Sequence, residues 1–476
     1  MSVNNTHRLY DLRVPEWNRL RAVLAGEQAV KAAGTVYLPM LEGQSAAEYD
    51  GYRARALYFD ATARTVDGLT GALFRKPPMV EVTAEFEARL DNVTGQGAPF
   101  AAFAKTVARE VIALGTHGVL VDVAPGSNRP YMVGYAAETI RNFRTTVHDG
   151  RPALTMMVLA ETAERVQPDD PFATEDIEQR RVLELVDGRY TVQLWQRRRE
   201  PGGREDWAMV GSPIQPTRRG VPLDFIPFQF IGPGGLETGF QRSPVLGLAG
   251  VNLSHYRTSA DLEHGAHFTA LPTLWVAGDV AGAGADGPEM AVGSAVAWQL
   301  EPGAQAGILE YRGQGLGALE RRLERKEHHM AVLGARLLED QKAGVEAAAT
   351  VRLRHAGESS LLAGIADTVG RGLANALAWM QWWAGGESGG VRVSLNKDFT
   401  DAPMGAEEMV RLIASWQQGG IGRRALYHNL KQGERLPDAM TFDDWQADID
   451  NGEAEPRVMK AKTEAPDRGP RDNIKN

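Results

Sequence analysis

The chain has 476 residues, of which 43% are hydrophobic and 24% charged, enough to bury one large core or two to three smaller ones. It contains no cysteine, which excludes disulfides, zinc–cysteine sites and thiol catalysis and fits folding in a reducing cytoplasm. A net charge of -9 argues against a protein that coats nucleic acid, although it permits a local basic patch or a lumen through which DNA slides.

Three helices are predicted before residue 116. Apolar residues at helical spacing predict a short helix after Pro15, a longer one over 48–74 that ends at Pro77, and a third from Pro99 to Gly115. The polar N-terminal residues predict no secretory signal, and no apolar run reaches the roughly 20 residues that a membrane helix requires.

The pattern then changes to that of strands. Strands are predicted over 119–123, 131–135, 154–160, 182–186, 190–196 and 225–231. The dipeptide Asp187-Gly188 between two of them is typical of a hairpin turn. Helices followed by a mostly antiparallel sheet predict the α+β class and disfavour a Rossmann fold.

The second half is predicted to be mainly helical. A helix over 244–268 leads to a strand at 273–276 and then to a Gly- and Ala-rich loop over 278–293. From Leu316 to Leu338 apolar residues recur in a heptad-like pattern that only Lys326 interrupts, which predicts a helix about 35 Å long.

The remainder of the chain is predicted to alternate between loops and helices. Residues 341–357 show no clear period and are predicted to be a loop, whereas 361–383 are predicted to be a helix that carries three glycines. Those glycines indicate either a kink or close packing of another chain, and Trp379, Trp382 and Trp383 are expected in the core or a subunit interface. A strand at 391–395, a helical region over 406–450 and a disordered tail from 456 complete the prediction.

Several short segments resemble the portal proteins of tailed bacteriophages. They are Gly34-Thr35-Val36-Tyr37-Leu38-Pro39, Glu48-Tyr49, Gly71-Ala72-Leu73-Phe74-Arg75-Lys76-Pro77-Pro78, and Val391-Arg392-Val393-Ser394-Leu395-Asn396-Lys397-Asp398-Phe399. The order of predicted elements is similar to that family over nearly the whole chain. Its one departure is a Gly-rich insertion in place of a longer, better-defined clip.

The resemblance implies a portal fold with an α/β wing, a helical stem, a small α/β clip, a tunnel loop with a long bent helix, and a helical crown. The implied boundaries are wing 1–243, first stem helix 244–268, clip 269–314, second stem helix 315–340, tunnel loop 341–357, bent wing helix and strand 358–400, crown 401–455 and flexible tail 456–476. The sequence Gly419-Gly420-Ile421 stands where crown helices of the family turn.

The resemblance also implies a function. Such a chain is not an enzyme, carries no cofactor and forms a homo-oligomeric ring, commonly a dodecamer, around the DNA channel at one capsid vertex. Its implied partners are double-stranded DNA bound without sequence preference, the terminase large subunit, major capsid and scaffold proteins, and a head–tail adaptor, with no membrane. Its implied location is the virion, and the host cytoplasm during assembly.

Two groups of residues are the candidates for contact with DNA. In the predicted tunnel loop they are Lys342, Arg352, Arg354 and His355, because arginines directed at phosphates give weak, sequence-independent contacts. On the second stem helix they are Arg321, Arg322, Arg325 and Lys326. Alternatives stay open. For the loop they are an exposed basic loop without a ligand and a buried ion pair with Glu339 or Asp340. For the stem they are a solvated face, ion pairs at three- and four-residue spacing along the helix, and salt bridges to neighbouring helices.

Other functions find less support in the sequence. His264 with His267, and His328 with His329, lack a third ligand at a suitable spacing, so no metal site is predicted. Neither a nucleotide-binding P-loop nor a G-x-S-x-G nucleophile motif occurs. The alternatives are another head–tail or minor capsid protein and, from a different class, a phage-encoded nuclease or hydrolase.

Overall fold

The computed structural model describes residues 3–451 except for 125–126, 128, 149, 168, 200–204, 271–272, 279–299, 301, 310–314, 335–347, 398, 400–405, 433–434 and 438–439. The chain divides into a larger unit, residues 1–397, and a smaller unit, residues 398–476. Helices and antiparallel sheets both contribute, so the α+β prediction is confirmed.

The helices of the described residues are α1 Arg8–Leu24, α2 Glu27–Ala32, α3 Ala46–Arg55, α4 Ala61–Leu73, α5 Ala84–Glu87, α6 Phe100–Leu114, α7 Leu246–Ala270, α8 Leu316–Val332, α9 Ala348–Trp383, α10 Ala406–Gln417, α11 Arg423–Gln432 and α12 Phe442–Asp450. The strands are β1 Met79–Glu81, β2 His117–Val123, β3 Pro130–Ala136, β4 Ile140–His148, β5 Arg151–Gln167, β6 Asp170–Val186, β7 Arg189–Arg199, β8 Glu205–Ile214, β9 Thr217–Arg218, β10 Val221–Pro222, β11 Phe228–Ile231, β12 Thr273–Ala277, β13 Gln305–Leu309 and β14 Arg392–Ser394.

Helix α1 begins earlier than its apolar pattern predicted. Pro15 lies inside the helix instead of before it, and His7 caps the N-terminus by accepting a hydrogen bond from the Leu9 N–H on its Nδ1 at 3.1 Å. A side chain that satisfies one orphan donor of the first turn favours helix initiation at that point. The proline therefore interrupts the hydrogen bonding of α1 without setting its start.

The helix predicted over 48–74 is two helices, α3 and α4, separated at residues 56–60. Ser45 and Glu48 form a capping box at the start of α3. In the break, the Asn252 side chain of α7 donates to the Phe59 carbonyl at 2.6 Å and accepts from the Thr62 N–H at 3.1 Å. These bonds satisfy backbone groups that a continuous helix would have paired internally, so a residue 190 positions away stabilises the break.

The core of the larger unit lies around α6 and the three-stranded sheet β11–β2–β3. Nine residues of α6 are buried, and Gly115 ends the helix at φ +82°, where a Cβ would lie 2.5 Å from the Arg242 carbonyl carbon. His117 on β2 is buried, and neither ring nitrogen has a hydrogen-bond partner among the described residues. Burial lowers the pKa of His117 to about 4.

A second sheet, β4-β5-β6-β7-β8, is an antiparallel meander that extends well beyond its predicted strands. Strand β4 pairs with β5 only as far as Leu159, and β7 pairs with β6 only from Gln179 onward. Over residues 161–178, which we term the arm, β5 and β6 therefore pair only with each other in the described chain. Most side chains of the arm are exposed, which leaves no apolar alternation for a sequence pattern to reveal.

The base of the arm is tied to the core sheet by a buried polar network. Arg181 donates to Asp122 of β2 at 3.1 Å and to Glu161 at 2.7 Å, and the Tyr135 hydroxyl also donates to Glu161. Burial raises the pKa of Asp122, and the Arg181 guanidinium opposes that shift. The two sheets are thus joined through a charge-paired contact as well as through apolar packing.

Trp383, near the end of α9, lies in the core as predicted, whereas Trp379 and Trp382 are half-buried. Phe225 lies 5.8 Å from the rings of both Trp379 and Trp382, and the Trp383 indole donates to the Thr217 carbonyl at 3.0 Å. Gly370 and Gly372 of this helix permit close packing within the chain: a Cβ would lie 2.7 Å from the Val393 carbonyl oxygen at Gly370 and 2.6 Å from the Ile231 side chain at Gly372. The predicted close packing therefore occurs at Gly370, but against strand β14 of the same chain and not against another chain.

The smaller unit contains α10, α11 and α12. Leu426, Tyr427 and Leu430 of α11 pack with Trp445 and Ile449 of α12 in a core cluster. Thr441 and Asp444 form a capping box at the start of α12. The predicted turn at Gly419-Gly420-Ile421 is confirmed between α10 and α11, while the predicted tail, 456–476, lies outside the described residues.

Candidate assembly and DNA-contact site

Helix α7 connects the N-terminal helices to the rest of the candidate site through buried polar contacts. Asn252 is fully buried, and its amide oxygen accepts from both the Thr62 N–H and the Thr62 hydroxyl, the latter at 2.8 Å. Further along α7, Asp261 accepts a hydrogen bond of 2.6 Å from the Tyr52 hydroxyl. Because such bonds require fixed geometry, they hold α7 in one position against α3 and α4.

Helix α8 runs antiparallel to α7 and packs along it. Leu316 lies near Gly265 at one end of the pair, whereas Met330 packs with Leu248 at the other. Between them the His255 Nε2 lies 3.1 Å from the Glu327 carboxylate. The predicted helices over 244–268 and 315–340 are confirmed as helices, except that α8 ends at Val332 because Gly334 adopts φ +138° close to Thr65.

Lys326 faces α7, which differs from its predicted place among the stem charges. Its ammonium donates to the Ser254 carbonyl at 2.7 Å and to the Thr258 hydroxyl. Burial lowers the pKa of Lys326, and the positive charges of Arg322 and Arg257 lower it further. Lys326 occupies the heptad position that the apolar pattern skipped, and its role is to join the two helices.

The other three predicted stem charges share the exposed side of α8. Arg321, Arg322 and Arg325 are exposed, and none of them makes an ion pair with any described residue. Carboxylates of the same helix, Glu320 and Glu324, alternate with them. Within the described chain, an ion pair along the helix therefore does not explain these arginines, and their side chains are available to a partner.

The predicted tunnel loop, residues 341–357, is only partly described by the structure. Lys342 lies outside the described residues, as do 341–347 in general. Arg352, Arg354 and His355 lie in the first turns of α9, which begins at Ala348, so the prediction of a loop through Gly357 is wrong. The alanines of 347–349 have the highest helix propensity and outweigh the single Gly357.

The helical backbone also sets the directions in which positions 352 and 354 face. Positions two apart point the same way in an extended strand, but they are rotated by about 200° in an α-helix. Positions 352 and 354 therefore lie on opposite sides of α9. Positions 351 and 355, or 352 and 355, share a face instead.

An antiparallel strand pair stands between α7 and α8 in the chain. Strand β12 pairs with β13 from Thr273 with Leu309 to Ala277 with Gln305. The predicted strand at 273–276 is confirmed, whereas the Gly-rich residues 279–293 lie outside the described residues. Trp275 on this pair is 40% exposed and covers Gly307, where a Cβ would lie 3.0 Å from the indole nitrogen.

His264, one of the histidines of this region, contacts neighbouring side chains. The His264 Nδ1 lies 3.1 Å from an Arg55 guanidinium nitrogen, and its ring contacts Tyr52 and Phe268 edge-on. Desolvation lowers the pKa of His264, with Arg55 as the second cause. In the described part of the chain, no group of three or more His, Cys, Asp or Glu residues could hold a metal ion.

Sequence reasoning missed the residues that position α7. Asn252 and Thr258 interrupt the apolar face of a helix, and polar residues at such positions indicate specific buried hydrogen bonds. That signal was present, but the partners are 190 and 68 residues away and no local pattern identifies them. None of the described helices is long and apolar enough to cross a membrane.

Comparison with known proteins gives one family match and several similar structures. A family model described as a domain of unknown function, DUF4055, matches residues 244–384, from just before α7 to the end of α9. No curated protein matches the chain.

The similar structures belong to gene transfer agent (GTA) particles. One is a chain from the neck of a native GTA particle computed with C12 symmetry, at 13% identity and a TM-score of 0.37 over 76% of this chain and 86% of that one. Another comes from the virion of a native gene transfer agent particle, at 13% identity and 0.41 over 83% and 98%. A third comes from the neck of an empty GTA particle computed with C6 symmetry, at 15% identity and 0.40 over 76% and 88%. At these TM-scores the likeness carries no functional argument.

Proposed function

We propose that this chain is the ring-forming subunit of a phage portal, the DNA channel at one capsid vertex. The observation that carries the proposal is the antiparallel pair α7 and α8 with the strand pair β12–β13 between them in sequence. That order corresponds to the stem, clip and stem implied by the sequence resemblance. Helix α9 then follows where the resemblance expects the long helix that returns to the wing.

The proposed mechanism is geometric. Buried hydrogen bonds fix α7 against the N-terminal helices, so α8 presents Arg321, Arg322 and Arg325 at a fixed position in each subunit. Repeating three arginines around a ring gives bands of positive charge that contact phosphates without reading sequence. Each contact is weak and exposed, which permits DNA to move past it.

The remaining parts of the proposal follow the same template. Residues 341–357, the first turns of α9 included, form the constriction of the channel, and the smaller unit forms the crown. The strand pair and the residues between its strands dock the terminase large subunit during packaging and a head–tail adaptor afterwards. Capsid and scaffold proteins contact the outside of the ring, and the chain has no enzymatic activity of its own.

Native mass spectrometry and negative-stain electron microscopy of the purified full chain test the proposal. We expect closed rings of one stoichiometry with a central hole wide enough for duplex DNA. Monomers and dimers only, at micromolar concentration, would overturn it. Rings without a DNA-sized hole would favour another head–tail or minor capsid protein, and a monomer that cleaves DNA would favour a nuclease.

A further inference from the structure

The tip of the arm combines exposed apolar surface with negative charge. Phe172 is 96% exposed and Val166 is 55% exposed. Residues 161–178 contain seven carboxylates and one arginine, within a chain whose net charge is -9. A two-stranded hairpin without a packed face is marginally stable in water, so the arm gains stability from a surface that covers it. Such a surface must be cationic and must accept a large aromatic ring.

The same chain carries a cavity that combines arginines with aromatic and apolar side chains. It has a volume of about 740 Å³ and lies between the connection after α5 and the connection between β2 and β3. Its lining includes Arg89, Arg129, Tyr131 and Met380, together with one carboxylate, Glu85. Neither arginine makes an ion pair with a described residue, and the two cations outnumber the single carboxylate of the lining.

We propose that the arm tip of one copy inserts Phe172 into this cavity on a neighbouring copy, with Asp169 and Asp170 facing Arg89 and Arg129. The arm does not fill the cavity of its own chain, because Phe172 is exposed there. The cavity wall and the base of the arm meet at Asp122, which lies 3.5 Å from the Tyr131 hydroxyl and 3.1 Å from Arg181. About seven residues of strand beyond that base carry the tip about 25 Å away.

The two surfaces differ from each other, so the contact is heterologous. A heterologous contact joins subunits head to tail and closes into a ring when the rotation between them permits. The inference rests on the proposed ring and identifies one contact that holds neighbours together.

Disulfide trapping in the full chain tests this directly, because the protein has no cysteine. We expect the double variant Pro171→Cys with Gln96→Cys, which keeps Phe172, Arg89 and Arg129 in place, to give a ladder of covalent oligomers on a non-reducing gel after oxidation at micromolar concentration. Either single variant alone should give no ladder, and an equal mixture of the two should stop at a covalent dimer. Both positions are exposed, so the substitutions leave the fold intact.

A second set of variants measures the contribution of the aromatic ring. Phe172→Ser should raise the concentration at which rings dissociate by about tenfold or more per contact, whereas Val147→Ser, another exposed apolar residue, on β4, should not change it. If native mass spectrometry shows rings but oxidation gives no ladder, the arm contact is overturned and the proposed function stands. The same holds if Phe172→Ser leaves the stability of the rings unchanged. An intramolecular 96–171 disulfide in a monomer would overturn the arm contact. The absence of rings under all conditions would overturn the proposed function.

Discussion

Removing the Asn252 side chain tests whether α7 is held by its buried hydrogen bonds. Asn252→Ala leaves two buried donors of Thr62, its N–H and its hydroxyl, without their partner, whereas the Phe59 carbonyl keeps a hydrogen bond from the Ala61 N–H. At roughly 1–3 kcal/mol for each unsatisfied group, the free energy of unfolding should fall by about 2–6 kcal/mol.

Urea unfolding followed by tryptophan fluorescence measures the change, with Asn375→Ala as the matched control. Asn375 is exposed and donates only to Gln229 in the described chain, so its removal should lower the stability by less than about 0.5 kcal/mol. Thr62→Val should also cost less in the Asn252→Ala background than in the natural chain, since its bond is already absent there. A cost below about 1 kcal/mol for Asn252→Ala, or full additivity of the two changes, would refute the reasoning.

Three further perturbations probe helix packing, a buried histidine and the exposed arginines. Gly370→Ala should destabilise the larger unit by roughly 1–3 kcal/mol, because its Cβ would meet the Val393 carbonyl. Gly364→Ala in the same helix is the control: its Cβ meets nothing within 4 Å, so it should stabilise the unit by about 0.5–1 kcal/mol. Thermal melts measure both changes. The folded pKa of His117 is about 4, below its ordinary 6.5, so its contribution to stability is complete above pH 6.5 and is lost as the pH falls toward 4. His117→Leu should remove that part of the pH dependence of the free energy of unfolding in urea. An unchanged loss of stability between pH 6.5 and 4 would contradict this. Changing Arg321, Arg322 and Arg325 together to Gln should weaken the salt dependence of binding to duplex DNA. The slope of log affinity against log salt concentration should fall in magnitude by about 0.9 for each phosphate that is no longer neutralised. Arg189→Gln should leave the slope unchanged, and fluorescence anisotropy titrations measure it.

The sequence predicted elements best where an apolar stripe packs locally. Helices α6, α7 and α8 were identified because their buried faces repeat at helical spacing and glycine marks the ends of two of them. The break between α3 and α4 could not be found in this way, because its stabilising partner Asn252 is distant in sequence. The arm was missed for the opposite reason, since its side chains face solvent on both sides and leave no alternation to read.

The candidate site was only partly predictable for related physical reasons. Arg321, Arg322 and Arg325 are exposed as expected of charges on an amphipathic helix, but the same pattern could not show that Lys326 turns inward. A long side chain can bury its stem and still reach a carbonyl, so charge alone does not set its direction. The helical start of α9 was missed because alanine-rich segments have no apolar period even where their propensity is high.

The inward position of Lys326 also fixes the axial register of α8 on α7. In the observed register its ammonium meets the Ser254 carbonyl and the Thr258 hydroxyl. A slip by one heptad would move α8 by about 10 Å and leave the ammonium without these acceptors. The register of α8 therefore also sets the axial position of Arg321, Arg322 and Arg325 relative to α7 in each copy. In the proposed ring, these arginines would stand at one level along the axis in every subunit.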